Sequence, residues 1–437
     1  MTTTRTSDTN PSNASASNTS TSNTISNNNS APQHELMSQF RVEQGELVAA
    51  GYTMAEISQL LARPAFYVYD RTIIEQQVAS FRQHIPNRIK LHYAVKANPY
   101  WPVVQHLKPL VDGFDVASQK EMLLALQSGM PVADISFAGP GKGDAELLAA
   151  IIAGVTLNVE SLGELQRICQ LGAQTANTPQ VALRVNPAFE LKASGMKMAG
   201  GAKPFGIDEE LVLETLAKIA DMPVKLRGFH IFCGSQNLKA EALIEAHQHT
   251  FALAAKLVAA CPYRPEMINL GGGFGIPYFA GERRLNLAPV GESLQSLLQQ
   301  YDQQLADIEL VIELGRYLVA EAGLYACQVV DKKQSRGTTY LVCNGGLHHH
   351  LANSGNFGQV IRKNYPVAIA NRFSQSETEL VTVVGPLCTP LDILADRMVL
   401  PKAEVGDWVV VYQSGAYGPT ASPQDFLGHP NVAEILL

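Results

Sequence analysis

No stretch of this sequence approaches the ~20 consecutive apolar residues of a membrane-spanning helix, so a protein built on helical spans is excluded. The six cysteines (Cys169, Cys233, Cys261, Cys327, Cys343 and Cys388) are scattered, without a Cys-x-x-Cys pair or zinc spacing. That pattern fits reduced thiols in a reducing, cytoplasmic compartment rather than a disulfide scaffold. Basic charge is not in excess. The net charge of −7 argues against broad nucleic-acid binding. Charged residues make up only 17% and hydrophobic ones 46%, which suits a globular enzyme. A chain of 437 residues is long enough for two domains and a large core. Residues 1–35 are of another kind. From Thr2 to Ser30 the chain is almost entirely Ser, Thr and Asn, with Ile25 its one large aliphatic residue. Such a tail cannot bury enough apolar surface to offset chain entropy, so disorder is expected there. It has no apolar core of a secretory signal.

From residue 91 onward, eight short apolar segments recur with helix-like stretches between them. Their cores are Leu91–Ala97, Gly113–Ala117, Ile135–Ala138, Thr156–Glu160, Val181–Asn186, Arg227–Phe232, Met267–Gly271 and Leu310–Leu314. Ser118-x-x-Glu121 and Ser161-x-x-Glu164 read as capping boxes opening amphipathic helices, and Thr72-x-x-Glu75 does the same before the first strand. Eight strands alternating with helices predict a parallel (β/α)8 barrel of the TIM type. A doubly wound open sheet is the rival, disfavoured by the count and by the lack of an early Gly-x-Gly-x-x-Gly turn. After Arg316 the pattern changes to β-branched runs (Thr338–Val342, Leu380–Val384, Trp408–Gln413), which read as an antiparallel β-domain. Ala65–Tyr69 would add a strand to it. The expected division is a tail at 1–35, the first part of the β-domain at 36–70, the barrel at 71–320 and the C-terminal β-domain at 321–437.

In such barrels the chemistry lies at the carboxyl ends of the strands. Those ends read Lys96, Asp115, Glu160, Arg184 with Asn186, His230 with Phe232, Gly271-Gly-Gly-Phe-Gly275, and Glu313 with Arg316. A lysine desolvated at a strand end has a lowered pKa and a free amine that attacks a carbonyl; the plain alternative is a solvated surface group. Three bare glycines can cradle a phosphate or simply make a tight turn. A lysine, a carboxylate, an arginine and a glycine run in one ring point to a phosphorylated aldehyde cofactor.

The motifs Phe66-Tyr-Val-Tyr-Asp70, Tyr93-Ala-Val-Lys-Ala-Asn98, Phe114-Asp-Val-Ala-Ser118, Gly271-Gly-Gly-Phe-Gly275, Glu313-Leu-Gly-Arg316, Gly385-Pro-Leu-Cys388 and Gly415-Ala-Tyr417 carry a resemblance. Over roughly residues 40 to 437 the chain resembles the fold-type III pyridoxal-phosphate decarboxylases, the ornithine/diaminopimelate/arginine decarboxylase group. Within that group it is most similar to the decarboxylases associated with exosortase A systems. The runs that carry this are Ser136-Phe-Ala-Gly-Pro-Gly-Lys142, Gly195 to Gly206 and Gly355-Asn-Phe-Gly-Gln-Val-Ile-Arg362.

The resemblance implies a homodimer with shared active sites and pyridoxal 5'-phosphate held by Lys96 as an aldimine. It places Glu313 at the pyridine nitrogen and Asp115 near the lysine. Gly271, Gly272, Gly273, Arg316 and Tyr417 would hold the phosphate, with Ser235 beside the cofactor. Cys388, from the partner subunit, would return a proton after carbon dioxide leaves. Arg316, Tyr417, Thr389 and Tyr365 would meet substrate.

Two departures from the family pattern matter. Aligning His230-Ile-Phe-Cys-Gly-Ser235 on its Gly-Ser puts Phe232 where a histidine usually stacks on the cofactor, and His230 remains the alternative. Cys388-Thr-Pro-Leu-Asp392 lacks the carboxylate that normally follows the cysteine and anchors a distal amine. The expected activity is therefore decarboxylation of an amino acid or an amino-acid derivative, including one linked to a carrier protein. Diaminopimelate decarboxylation, racemisation and a non-catalytic cofactor-binding role are the alternatives. The triplet His348-His-His350 reads as a loop or substrate-side element rather than a metal site, because neighbouring extended histidines point in opposite directions and no acidic cluster adjoins them. No metal, nucleic acid or membrane partner is expected.

Overall fold

The computed structural model describes residues 33–189, 196–197 and 200–437. The tail from Thr2 to Ser30, and part of the run from Gly195 to Gly206, lie outside the described residues.

Eight strands are parallel to their neighbours and close into a ring: Ile89–Ala94, Gly113–Val116, Ile135–Phe137, Thr156–Val159, Gln180–Asn186, Lys225–Ile231, Met267–Gly272 and Glu309–Leu314. The ring closes where Leu310–Leu314 pairs in register with Ile89–Tyr93. Each strand is buried on both faces, as parallel strands wrapped by helices must be, and this explains their near-continuous apolar runs. Local signals set the boundaries between strand and helix. The Ser118 and Ser161 hydroxyls accept from the backbone N–H of Glu121 and Glu164, at 3.2 and 3.1 Å, and open helices Gln119–Gln127 and Leu162–Gly172. Gly154, at φ +78°, ends helix Asp144–Ala153 in a left-handed turn, so the next strand begins at Thr156. The expectation for Thr72 is corrected. Asp70 is the residue that caps helix Arg71–His84, accepting from the Thr72 N–H at 2.9 Å, because the chain turns two residues earlier than the Thr-x-x-Glu spacing suggested.

The β-domain follows Arg316. Its backbone is the long strand Gly323–Ser335, which pairs with Ala65–Tyr69 on one flank and with Thr338–Cys343 and Trp408–Val411 on others. Both ends of the described chain contribute, since Ala433–Leu436 pairs with Ala65–Tyr69. That pairing and the one between Thr338–Cys343 and Thr378–Val384 are parallel, so the sheet is mixed rather than wholly antiparallel. Among the described residues no helix is long and apolar enough to cross a membrane.

Candidate active site

Lys96 sits just past the first barrel strand, in the 3-10 turn Val95–Ala97, rather than in the strand itself. Its side chain stands in a cavity at the carboxyl end of the barrel, open to the water there while protein surrounds it on every side. The cavity has two lobes of about 200 and 270 Å³, and Lys96, Phe232 and Glu313 line both. One lobe adds Ser235, Gly273, Arg316, Tyr417 and Phe357; the other adds Asp115, Arg184, His230, Phe205 and Gly139.

Glu313 is buried. Burial alone would raise its carboxyl, but His230, Lys96 and Asn269 together hold it far below the usual carboxylate range. The Asn269 carboxamide donates to Glu313 Oε2 at 3.0 Å, and His230 Nε2 lies 3.5 Å from the same oxygen. Lys96 departs from its expectation. Burial acts to lower its ammonium, yet Glu313, Tyr417 and Asp115 outweigh that and raise it. Its amine is held as a cation by its carboxylate neighbours, and desolvation does not set it free.

Asp115 is buried beside Lys96, and the Ser136 hydroxyl donates to its Oδ1. Burial and the nearby Glu313 push its carboxyl well up, against the opposing pull of Ser136 and Lys96. Phe232 presents its ring to both lobes, whereas His230 lies lower, against Glu313, with its ring edge-on to Phe232 at 6.4 Å.

The glycine run is needed for close approach. A Cβ on Gly272 would collide with the Glu313 carbonyl, and one on Gly273 with the Gly234 carbonyl. Gly271 and Gly273 hold φ of +74° and +86°. The three are not equivalent as donors, because the Gly271 N–H is already bonded to Asn269 Oδ1 at 2.8 Å. Arg316 donates to the Tyr278 hydroxyl at 3.0 Å and lies 4.6 Å from the centre of the Tyr417 ring. Tyr417 is itself in the left-handed region (φ +54°), fixed by its N–H to the Ala97 carbonyl at 2.8 Å. Tyr365 stands behind this pair, its ring 4.6 Å from that of Tyr278.

The structure does not bring Cys388 and Thr389 to this cavity. Cys388 is exposed on the β-domain, and Thr389 lines a separate groove there with Leu387, Pro390 and Asp392. Asp392 is buried and accepts from the Leu387 N–H at 2.8 Å, so it serves the turn and not the cavity. The histidine triplet is also buried. His349 bridges the Tyr325 hydroxyl (3.1 Å) and the Pro430 carbonyl (2.8 Å), while His350 bonds Ser414 Oγ at 3.0 Å.

Sequence reading missed Asn269, Tyr278, Phe205 and Phe357 as cavity residues or their supports. Phe205 lies in the Lys203-Pro-Phe-Gly206 run and Phe357 in the Gly355–Arg362 run, which carry the resemblance without assigning either residue a role; Asn269 and Tyr278 give no local signal.

A buried carboxylate, a lysine amine, a side-chain-free glycine turn and a buried arginine around one cavity fit a phosphorylated pyridine aldehyde. The comparisons agree. Residues 71–320 match the model of the pyridoxal-dependent decarboxylases, pyridoxal binding domain. The L-glutamyl-[BtrI acyl-carrier protein] decarboxylase of Niallia circulans is 35% identical over 87% of this chain and 91% of its own. The 2-[(L-alanin-3-ylcarbamoyl)methyl]-2-hydroxybutanedioate decarboxylase of Staphylococcus aureus is 32% identical over 85% and 93%. A crystal structure of diaminopimelate decarboxylase from M. jannaschii in complex with L-lysine superposes with a TM-score of 0.82 at 24% identity, covering 92% of this chain and 93% of that one. The chain belongs to the pyridoxal-dependent decarboxylases, of fold-type III. It is a carboxy-lyase whose cofactor is pyridoxal 5'-phosphate.

Proposed function

We propose that Lys96 holds the cofactor covalently and that the substrate is an amino acid attached to a larger group, such as a carrier-protein thioester. Glu313 is the observation that carries the first part. A carboxylate kept ionised at the cavity wall is the partner a protonated pyridine nitrogen requires, and the cofactor so held supplies an electron sink for the carbanion left by carbon dioxide. Gly273, Ser235, Arg316 and Tyr417 line the lobe suited to the phosphate, with Gly272 in the same turn. Phe232 offers the flat face on which the ring stacks, and His230 supports Glu313 from below.

The second part rests on the Cys388 turn. Its one acid, Asp392, is occupied by backbone N–H groups. A site without a free carboxylate there loses a charge-assisted hydrogen bond to a distal ammonium, about 1.5–3 kcal/mol. The Niallia circulans and Staphylococcus aureus relatives are named for a carrier-protein-linked glutamyl group and a substituted alanine, which supports the same reading, whereas the diaminopimelate decarboxylase supports the alternative. Cys388 stands outside its own chain's cavity and would reach that of a partner subunit, to protonate the α-carbon.

The test is a comparison of kcat/KM for free diaminopimelate, ornithine and lysine with that for pantetheine thioesters of amino acids, L-glutamate among them. The thioester should be preferred by at least tenfold. A kcat/KM for free diaminopimelate of about 10⁴ M⁻¹s⁻¹ or more overturns the tethered substrate and favours diaminopimelate decarboxylation. Mixing Lys96→Ala with Cys388→Ala subunits tests the shared site. Activity should return, because a mixed dimer holds one intact site; no return, with subunit exchange demonstrated, puts Cys388 out of that role.

A further inference from the structure

Beneath the cavity floor lies a second polar contact that the reaction as described does not use. His92 is on the first barrel strand, in register with Glu313 on one side and Gly113 on the other. Its ring is buried, and neither nitrogen has a hydrogen-bond partner among the described residues. Nδ1 points at Asp115 Oδ2 from 3.7 Å, the one carboxylate oxygen within 4 Å of its ring nitrogens among those residues. That oxygen is likewise without a donor, whereas Oδ1 receives the Ser136 hydroxyl. The fold makes room for the ring. A Cβ at Gly113 would lie 2.5 Å from His92 Nε2 and 2.6 Å from its Cε1.

Two unsatisfied buried groups facing each other, about 0.5 Å beyond the hydrogen-bond limit of ~3.2 Å, make a pair that a small ring movement closes. From the structure we infer that His92 is a positioning residue, whose neutral ring donates Nδ1–H to Asp115 and keeps that carboxylate ionised against Lys96. This rests on the reading of Lys96 as the cofactor lysine. The surroundings explain the need. Burial and Glu313 both push the Asp115 carboxyl up, and only Ser136 and Lys96 oppose them. A second donor on Oδ2 favours the charged form. The ring can play this part because burial keeps it neutral down to about pH 4, even with Glu309, Asp112 and Glu313 acting to raise it and Lys90 to lower it.

The experiment uses the cofactor-loaded full chain. His92→Phe fills the same space without a donor, and His92→Gln restores one. With the donor gone, Asp115 holds its proton more tightly and the positive charge on the Lys96 nitrogen loses its partner. In His92→Phe the midpoint of the pH titration of the visible band should fall by roughly one unit, and the acid limb of kcat/KM should rise by a similar amount. His92→Gln should titrate close to wild type. A His92→Phe protein with the wild-type midpoint, or equal shifts in both variants, overturns the proposal. Imidazole ¹⁵N spectra of the wild-type protein decide the matter even if His92→Phe fails to fold, since an Nε2–H tautomer for His92 overturns it as well. Failure of the Lys96 reading has a different signature: loaded wild-type protein without any visible band that borohydride removes.

Discussion

The mouth of the barrel and the histidine cluster of the β-domain both bury many polar side chains, and they keep most of them in opposite states. At the mouth most are charged and paired, Asp115 being the exception. Arg184 meets Glu160 at 2.8 Å, Lys142 meets Glu164 at 2.9 Å, and Glu313 is held low by His230, Lys96 and Asn269. In the histidine and tyrosine cluster of the β-domain they are neutral. Burial lowers His348 and His350 to about 3 and His349 to about 4, among Tyr67, Tyr325 and Tyr365, whose hydroxyls burial pushes well up. Fixed charges stabilise charge that forms during a reaction, and the barrel holds them around the cavity proposed for the cofactor. Around the histidine triplet the β-domain has no such task and keeps its buried groups neutral, its ion pair of Arg372 with the buried Asp407 lying apart from that cluster.

Lys96→Ala gives the largest expected effect on the charged side. The protein should lose its borohydride-sensitive visible band, and kcat should fall by several orders of magnitude; a band that persists without added amine would remove Lys96 from its role. Glu164→Gln comes next. It leaves the Lys142 ammonium buried against the Gly139 and Asn158 carbonyls without its counter-ion. Breaking one half of a buried pair should cost about 3–5 kcal/mol in urea unfolding. A loss under 1 kcal/mol would mean that the loop walling the cavity does not depend on the pair. Glu313→Gln should keep the cofactor while kcat falls at least tenfold, about 1.4 kcal/mol of barrier.

The strand ends were readable from sequence because a buried parallel strand admits few polar residues, so Lys96, Asp115, His230 and Glu313 stood out against apolar runs. What depends on packing across the barrel was not readable. That Gly271 gives its N–H to Asn269, that Lys96 is raised and not lowered, and that Tyr278 supports Arg316 are all matters of residues remote in sequence meeting in space. In the β-domain the β-branched runs marked Thr338–Cys343 and Trp408–Val411, yet the strand that organises the sheet, Gly323–Ser335, was missed. Its second half is polar and exposed, which broke the pattern.

The smallest effect belongs to the neutral side. A histidine whose folded pKa is depressed takes up its proton only on unfolding, so the unfolded chain binds more protons as pH falls below about 6.5. Stability is then lost between about pH 6.5 and 4, by up to ~1.4 kcal/mol per pH unit for each such histidine. Glu313, being lowered, contributes stability that is lost only below the ordinary carboxylate range, so the two regions separate on the pH axis. His348 has no hydrogen-bond partner among the described residues. His348→Leu should therefore change stability by less than about 1 kcal/mol at pH 7.5 and make the protein more stable than wild type at pH 5.5. Equal losses at both pH values would show that the cluster is not a neutral one.

The seam at which the barrel closes has a consequence for assembly. Glu313 is on the last strand and Lys96 follows the first, and the two become neighbours only when Leu310–Leu314 docks beside Ile89–Tyr93. A nascent chain still lacking its eighth strand would have the lysine but not the carboxylate proposed to face the cofactor's pyridine nitrogen. On the proposed roles of Lys96 and Glu313, pyridoxal phosphate bound at this seam would tie the first strand to the last, and its affinity for the closed state would add directly to the stability of closure. Cofactor uptake during refolding should thus appear late and in step with barrel completion, which makes the visible band a built-in reporter of the final strand's arrival.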